Sequence, residues 1–523
     1  MLFKLLIVTA FLNGLSWIIL IPVWQYPDEQ AHFAQVQNIA EIGGSPIEGP
    51  DTSVEIAFSE TLLGTERDSM GNNRYTYNPY YHIKYTNSSE GYFEELINNL
   101  PKETRYQMYK REATHNPPLY HKSASNFYKI FAKNGLFARV YVVRFFSLIL
   151  YLCLIIICIN ASKLIFKHRE IEALTLTTLM AFTPMLVFST TGVLPDSLTI
   201  LLFTIIFTMA LKIIKTNLSL SGLILLSTVI YLGTKTRQQF QVAIPIALLP
   251  VAYALLKRLP GKKFSTIPIG LSFIVGVFVL ALIPVAYNLS IFSIPEIRTP
   301  NLSLLFTNQF AGYLVSTLKQ YYSQTLPWYW GVYKWLSLSV PHVYYQIINR
   351  AIALALIGLI IWIVITIKNK KVNKQDLMIN TFIASIFIYM STFIIWDFYF
   401  QKIYGYPFGI QGRYFLPLIL PITTVLFFGL KNLLQLFIKR YLYIVYFLLT
   451  FAMILFNDIS LAYVSSTYYD GESIKMLISQ ISQYKPFIFK GYIIQIIISL
   501  TILSQIIYLY NLSMYFKKNN ESR

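Results

Sequence analysis

"FKLLIVTAFLNGLSWIILIPVWQYPDEQAHF", residues 3–33, decides the class of this chain. It stays apolar through residue 24, and about 20 such residues suffice to cross a bilayer as a helix. The acids Asp28 and Glu29 and the imidazole of His32 follow at once. No small-residue cleavage site ends the apolar run, so residues 3–24 are expected to persist as a first membrane span rather than to be removed.

Outward from this segment the pattern repeats. The chain has 523 residues, 55% hydrophobic and only 13% charged, with a mean hydropathy of +0.52. A soluble protein carries roughly 25% charged residues. The reading is an all-α polytopic membrane protein with about twelve transmembrane helices. They are expected near residues 3–24, 143–166, 172–192, 197–214, 219–234, 240–256, 265–288, 349–367, 377–396, 415–430, 441–457 and 490–513. Their length and lack of turn signals favour helix over strand despite the Ile, Phe and Tyr content. Cys153 and Cys158 sit in one apolar run without ligand partners nearby, which supports neither a disulfide framework nor a zinc site.

Basic residues fix the expected orientation. Clusters at 163–169, 212–215, 257–263, 368–374, 431–440 and 517–523 alternate so as to share one side, which should be cytoplasmic. Both termini then lie inside, and the multi-pass chain sits in the plasma membrane. The loops 25–142 and 289–348 lie outside, and 1–523 forms a single unit. The net charge of +19 reads as topology and attraction to the lipid surface, not as a nucleic-acid footprint.

The stretch "PDEQAHFAQVQNIAEIGG" (27–44) reads as a short amphipathic juxtamembrane helix, started at Pro27–Asp28 and stopped at Gly43–Gly44. Ala31, Phe33, Val36, Ile39 and Ala40 would face the membrane surface. Asp28 and His32, four residues apart, share a face. A second such segment closes the loop, with His115, Asn116, Tyr120 and His121 around Pro117–Pro118. The plain reading of Asp28 is a helix N-cap, with Glu29 favourable to the helix dipole. Ionisable groups held beside a membrane are costly and tend to be functional. Asp196 likewise reads as a cap beside Pro195, or as a contact that positions a substrate. Asp397 is placed to pair with Lys402 or Arg413. The aromatic group Trp328, Tyr329, Trp330, Tyr333 and Trp335 reads as an interfacial belt, with sugar stacking as the alternative.

The arrangement resembles the GT-C glycosyltransferases, membrane enzymes that take a sugar from a polyprenyl-phosphate carrier and carry an acidic motif just after the first span. It is closer still to a bacterial branch of membrane proteins known as a domain of unknown function. "PDEQAHF" (27–33), "HNPPLYH" (115–121), "GVLPDSL" (192–198) and "GIQGRYFLPLILP" (409–421) carry the likeness, in order, across most of the chain. The resemblance implies a GT-C-like fold. It makes Asp28 the general base for the acceptor hydroxyl, with Glu29 as the alternative, and gives His32 a supporting contact. A lipid-phosphate leaving group calls for cations. Arg413 is the first choice, because a guanidinium holds phosphate bidentately, and Lys235 and Arg237 come second. His115, Asn116 and Asp196 complete the expected substrate-binding set.

Snorkelling at a helix end is the competing reading for each cation. Carboxylates and imidazole suit manganese or zinc, so a divalent cation at Asp28, Glu29 and His32 stays open, with no tightly bound structural metal expected. The expected function is transfer of a sugar from a polyprenyl-phosphate donor to a cell-envelope glycopolymer, glycolipid or protein on the outer face. A transporter or lipid-linked sugar flippase and a polysaccharide polymerase or ligase are the alternatives. Neither inverted nor parallel halves, the usual mark of secondary transporters, are visible. A soluble nucleotide-sugar enzyme is disfavoured by the lack of a Rossmann fingerprint or P-loop.

Overall fold

A computed structural model describes residues 1–523 apart from 45–47, 70, 113–116, 168, 258–301, 370–372 and 522–523. The expected span 265–288, the residues His115 and Asn116 and the start of the second loop lie outside the described residues.

Helix α1 (Leu2–Leu20) leads into a folded loop. The loop holds α2 (Glu29–Glu41), α3 (Val54–Leu63), α4 (Glu94–Asn98) and α5 (Leu119–Ile130). Strand β1 (Thr52–Ser53) pairs antiparallel with β2 (Met108–Lys110) inside it. Next come α6 (Leu136–Ile165), α7 (Glu170–Ala181), α8 (Pro184–Thr191), α9 (Asp196–Lys215), α10 (Leu220–Thr234) and α11 (Ala243–Leu256). The second loop carries α12 (Asn308–Gln320), α13 (Leu326–Trp330) and the hairpin of β3 (Val332–Tyr333) with β4 (Leu338–Ser339). Helices α14 (His342–Asn369), α15 (Lys374–Tyr404), α16 (Ile419–Phe437), α17 (Leu442–Ser466), α18 (Ile474–Ser482) and α19 (Tyr492–Glu521) complete the chain.

Nine helical stretches among the described residues are long and apolar enough to cross a membrane, or ten if the bent pair α7–α8 is one span. The expected span 172–192 is a pair, α7 and α8, bent by 57°. Pro184 opens α8 at its first position, where its missing N–H costs nothing, but it breaks the ladder of α7. The expected span 219–234 is the 15-residue α10. At 1.5 Å per residue it reaches about 22 Å, short of a hydrocarbon core near 30 Å.

Side chains tie the spans together. Trp17 donates to Asn457 Oδ1 at 3.1 Å, and the hydroxyls of Ser16 and Thr501 meet at 2.9 Å, joining α1 to α17 and α19. Helices α14 and α16 cross so closely at Gly358 and Gly429 that a Cβ on Gly358 would fall 1.9 Å from the Gly429 carbonyl oxygen. Small residues let helix backbones approach in this way, where lipid supplies no hydrophobic drive. The outer faces of α14 and α19 leave Ile357, Ile360, Ile496 and Leu503 exposed, as lipid-facing surfaces do.

The two ends of the bundle differ in chemistry. At one, Lys374 reaches the Lys215 carbonyl at 2.8 Å, and Glu172 holds Lys431 at 2.7 Å, which gathers the basic clusters together. At the other lie both folded loops. The hydrogen bonds Leu119 N–H to the Lys235 carbonyl and Thr86 N–H to the Gln483 side chain cross between connections distant in sequence.

Helix α2 is not a membrane-surface helix. Ala31, Phe33 and Val36 are buried within the protein, Phe33 between Trp24 and Tyr128. Its polar face is enclosed as well: Gln37 bonds Glu55 at 2.8 Å and accepts from Ser53 at 2.6 Å. The buried residues of the loop join the core of the bundle, so the amphipathic pattern answers to protein rather than to lipid.

Candidate functional site

The acidic pair after α1 divides into two roles. Glu29 is fully buried, and each of its oxygens accepts two bonds. Arg144 donates to it through Nε at 2.8 Å and through its terminal nitrogen at 2.6 Å, and the backbone N–H groups of Trp24 and Val193 add contacts at 3.0 and 3.2 Å. Arg144 spends its remaining donors on the carbonyls of Ile18, Ile21 and Pro22 and lies over the rings of Tyr26 and Tyr141. This saturated clasp fixes the exit of α1 against α6 and α8. Glu29 has no acceptor capacity left for a substrate proton.

Asp28 is placed differently. Its side chain keeps 35% exposure and bonds Arg67 at 2.9 Å and Arg413 at 3.3 Å. It stands at the N-cap of α2 in the left-handed region (φ 53°) and makes no capping hydrogen bond. The cap reading therefore fails: that backbone turns the carboxylate away from the helix and towards the arginines. Burial raises the Asp28 carboxyl, but the guanidiniums of Arg413 and Arg67 outweigh it and hold the group below its usual range.

The other expected residues gather around this carboxylate in part. His32 and His121 meet at 3.2 Å, both buried. Burial first, then the charges of His121, Arg237, Arg413 and Arg67, press His32 well below the ordinary histidine value. His121 is pushed down to about 3 by burial and Arg237. Asp196, the first residue of α9, pairs with Arg237 at 3.0 Å rather than capping its helix. Lys235 does not join the cluster; it is exposed, over the Tyr231 ring. Asp397 pairs with neither Lys402 nor Arg413. It accepts from Tyr313 and from the Phe408 N–H, each at 2.7 Å, while Lys402 bonds Gln309.

Asp28 and Arg413 open into a cleft of about 460 Å³. Gln25, Gln320, Gln324 and Gln411 give it polar walls, and Trp328, Tyr333 and Trp335 line it. These aromatics are thus turned inward, not arrayed as a lipid-facing belt; the Trp335 indole donates to the Trp24 carbonyl at 3.0 Å. Arg413 arrives because Gly412 lets its turn lie flat on α13: a Cβ there would sit 2.1 Å from the Tyr329 nitrogen. Backbone strain collects at the same place. Asp28, Tyr77, Lys334, Trp335 and Leu336 all have positive φ and all line the cleft. Of the other described non-glycine residues, only Trp24 and Tyr484 share that conformation. Such strain costs about 1–3 kcal/mol per residue and clusters at functional sites.

Sequence reasoning missed Arg67, Arg144 and Lys334. Arg144 had a signal, a cation at the start of an apolar run. Arg67 had none, since only the folded loop brings it to Asp28. Behind it, Glu112 contacts Arg67 at 3.5 Å and Lys110 at 2.8 Å, a charged strut that steadies the guanidinium. Lys334 is buried and donates to the carbonyls of Pro79 and Thr467, and burial pulls its amine down to about 8. Among the described residues no group of three or more His, Cys, Asp and Glu side chains is placed to hold a metal ion. Asp28, Glu29 and His32 point to three different sets of partners.

A many-span helical bundle, with a charged and strained cleft at the end that carries its folded loops, defines a polytopic membrane protein with a built polar site. The chain belongs to the DUF2142 family of predicted membrane proteins, whose pattern covers residues 11–422. That span holds all four short motifs and closes just beyond Arg413. The motifs meet in space: Asp28 on Arg413, Glu29 on Val193, and His32 on His121. No curated protein matches the chain.

Proposed function

We propose that the protein is a membrane glycosyltransferase. It moves a sugar from a polyprenyl-phosphate donor to a hydroxyl of a cell-envelope glycopolymer, glycolipid or protein at the outer face of the plasma membrane. The observation that carries this reading is Asp28, a partly exposed carboxylate held between two guanidiniums at the mouth of a polar cleft. An apolar groove of about 390 Å³ between α14, α16 and α17 supports it, lined by Ile348, Ala355, Leu426, Phe427 and Met453. Helix α13 contributes to both spaces, with Trp328 in the polar cleft and Trp330 in the groove. A lipid phosphate has the matching form, an anionic head on an apolar tail.

In the structure Asp28 engages both arginines. A donor phosphate offers Arg413 and Arg67 a stronger, bidentate partner, and their shift releases the carboxylate and raises its proton affinity. Asp28 then accepts the proton of the acceptor hydroxyl as that oxygen attacks the anomeric carbon. The bond from this carbon to the phosphate oxygen breaks. The phosphate leaves with one more negative charge, which the guanidiniums stabilise where it develops.

Photo-crosslinking with a diazirine-bearing polyprenyl phosphate tests the donor site. Arg413→Gln should cut labelling at least tenfold against wild type; equal labelling would overturn the assignment. Lipid movement across vesicles without any sugar transfer would favour the flippase reading instead.

A further inference from the structure

A second cleft, of about 540 Å³, opens on the far side of the β3–β4 hairpin. Tyr80, His82, Ser339, Ser466, Tyr468 and Asp470 line it. Its neighbour, the Asp28 cleft, uses residues 332–336 of the hairpin and Thr76 and Tyr77 of the first loop; this one uses 337–339 and Pro79, Tyr80 and His82. The two thus lie on opposite sides of one wall, which Lys334 pins by bonding Pro79 on the first loop and Thr467 after α17.

The chemistry of the second cleft differs from that of the first. Its charged groups are Asp470 and, when protonated, His82, which meet at 3.3 Å, so it presents no cationic surface to an anion. Tyr80 holds its ring in solvent at 88% exposure, an uncovered aromatic face at the rim of the cleft. The Ser466 and Thr467 hydroxyls donate to carbonyls of their own helix turn, leaving oxygen lone pairs as acceptors. A flat aromatic platform, several acceptor oxygens and a carboxylate suit a neutral, hydroxyl-rich ring. The apolar face of a pyranose covers the platform, and its hydroxyls donate to the oxygens.

We propose that this cleft binds neutral saccharide units of the acceptor, one or more residues away from the hydroxyl that reacts in the Asp28 cleft. The role as acceptor subsite rests on the glycosyltransferase reading, whereas saccharide binding itself does not. Residues 463–470 lie beyond the family span of 11–422, so one wall comes from chain outside the shared pattern. Acceptor choice is thereby set apart from the donor machinery.

The test uses the full-length protein in detergent, titrated by calorimetry with maltotriose, cellotriose, chitotriose and mannotriose. At least one should bind at millimolar concentration or tighter. Tyr80→Ala and Asp470→Asn, both at exposed positions, should each weaken it at least fivefold, while Asp28→Asn leaves it unchanged. Binding by none of the four, or binding indifferent to both substitutions, would overturn the proposal. Binding that depends on Tyr80 and Asp470 in a protein that transfers no sugar would uphold the saccharide site while removing the glycosyltransferase reading.

Discussion

Two consecutive carboxylates, Asp28 and Glu29, have opposite environments and so different roles. Glu29 is enclosed with Arg144, and its removal leaves a buried guanidinium without its counter-charge. Breaking a buried pair in this way costs about 3–5 kcal/mol. Glu29→Gln is expected to lower the thermal midpoint in detergent by several degrees; a wild-type midpoint would contradict the clasp. The histidine pair gives a pH signature. His121 is held near 3 and His32 well below its ordinary value, by burial first in both cases. A free histidine titrates near 6.5, so below about that pH the unfolded chain binds more protons than the folded one. Stability is complete above about pH 6.5 and declines as pH falls towards the folded values, by up to about 1.4 kcal/mol per pH unit for each ring. Denaturant melts across pH 4–7 read this slope, and His121→Gln should flatten it. The sequence alone offered Asp28, Arg413 and His32, because a charge beside an apolar run stands out. Nothing local marked Arg67, and spacing could not tell which acid of the pair would be enclosed.

Whole elements were legible where one property dominated them. Apolar length located α1, α6, α9 and the spans from α14 onwards. It did not foresee that α10 would be apolar but short, nor that Thr183–Pro184 would bend the run 172–192 into two helices. The first loop was opaque because charges distant in sequence hold it: Glu55 takes Arg139 of α6, and Arg105 lies between Glu41 and Glu55. The aromatic run 328–335 has the composition of a membrane belt, yet three consecutive left-handed residues at 334–336 turn its hairpin over the cleft. The seat of the 409–413 turn on α13 is the most exacting of these contacts. A methyl on Gly412 would lie 2.4 Å from the Trp328 carbonyl carbon and meets backbone that has no side chain to swing aside. Overpacking of this kind costs about 1–3 kcal/mol. Gly412→Ala should therefore displace Arg413 and reduce polyprenyl-phosphate labelling in a protein that still inserts and purifies; wild-type labelling would refute the role given to this turn.

Across the whole molecule, chemistry is sorted by end. Basic clusters collect at the end opposite the folded loops, and the net charge of +19 follows from them more than from the cleft. If those clusters lie on the cytoplasmic side, as proposed, the cleft would face outward, where the proposed lipid-linked donor and envelope acceptor would both present their polar parts. The apolar groove and the polar cleft share α13, as the proposed amphiphilic donor would require. The measurement that bears most directly on this account is sugar transfer in membranes from radiolabelled polyprenyl-phosphate hexoses to endogenous acceptors, comparing wild type with Asp28→Asn. Asparagine keeps the size of the side chain and tolerates the left-handed backbone, but it cannot take a proton. The account predicts transfer by wild type and a fall of roughly 10²–10⁴-fold in the variant at equal amounts of folded protein. Transfer undiminished in Asp28→Asn would contradict it.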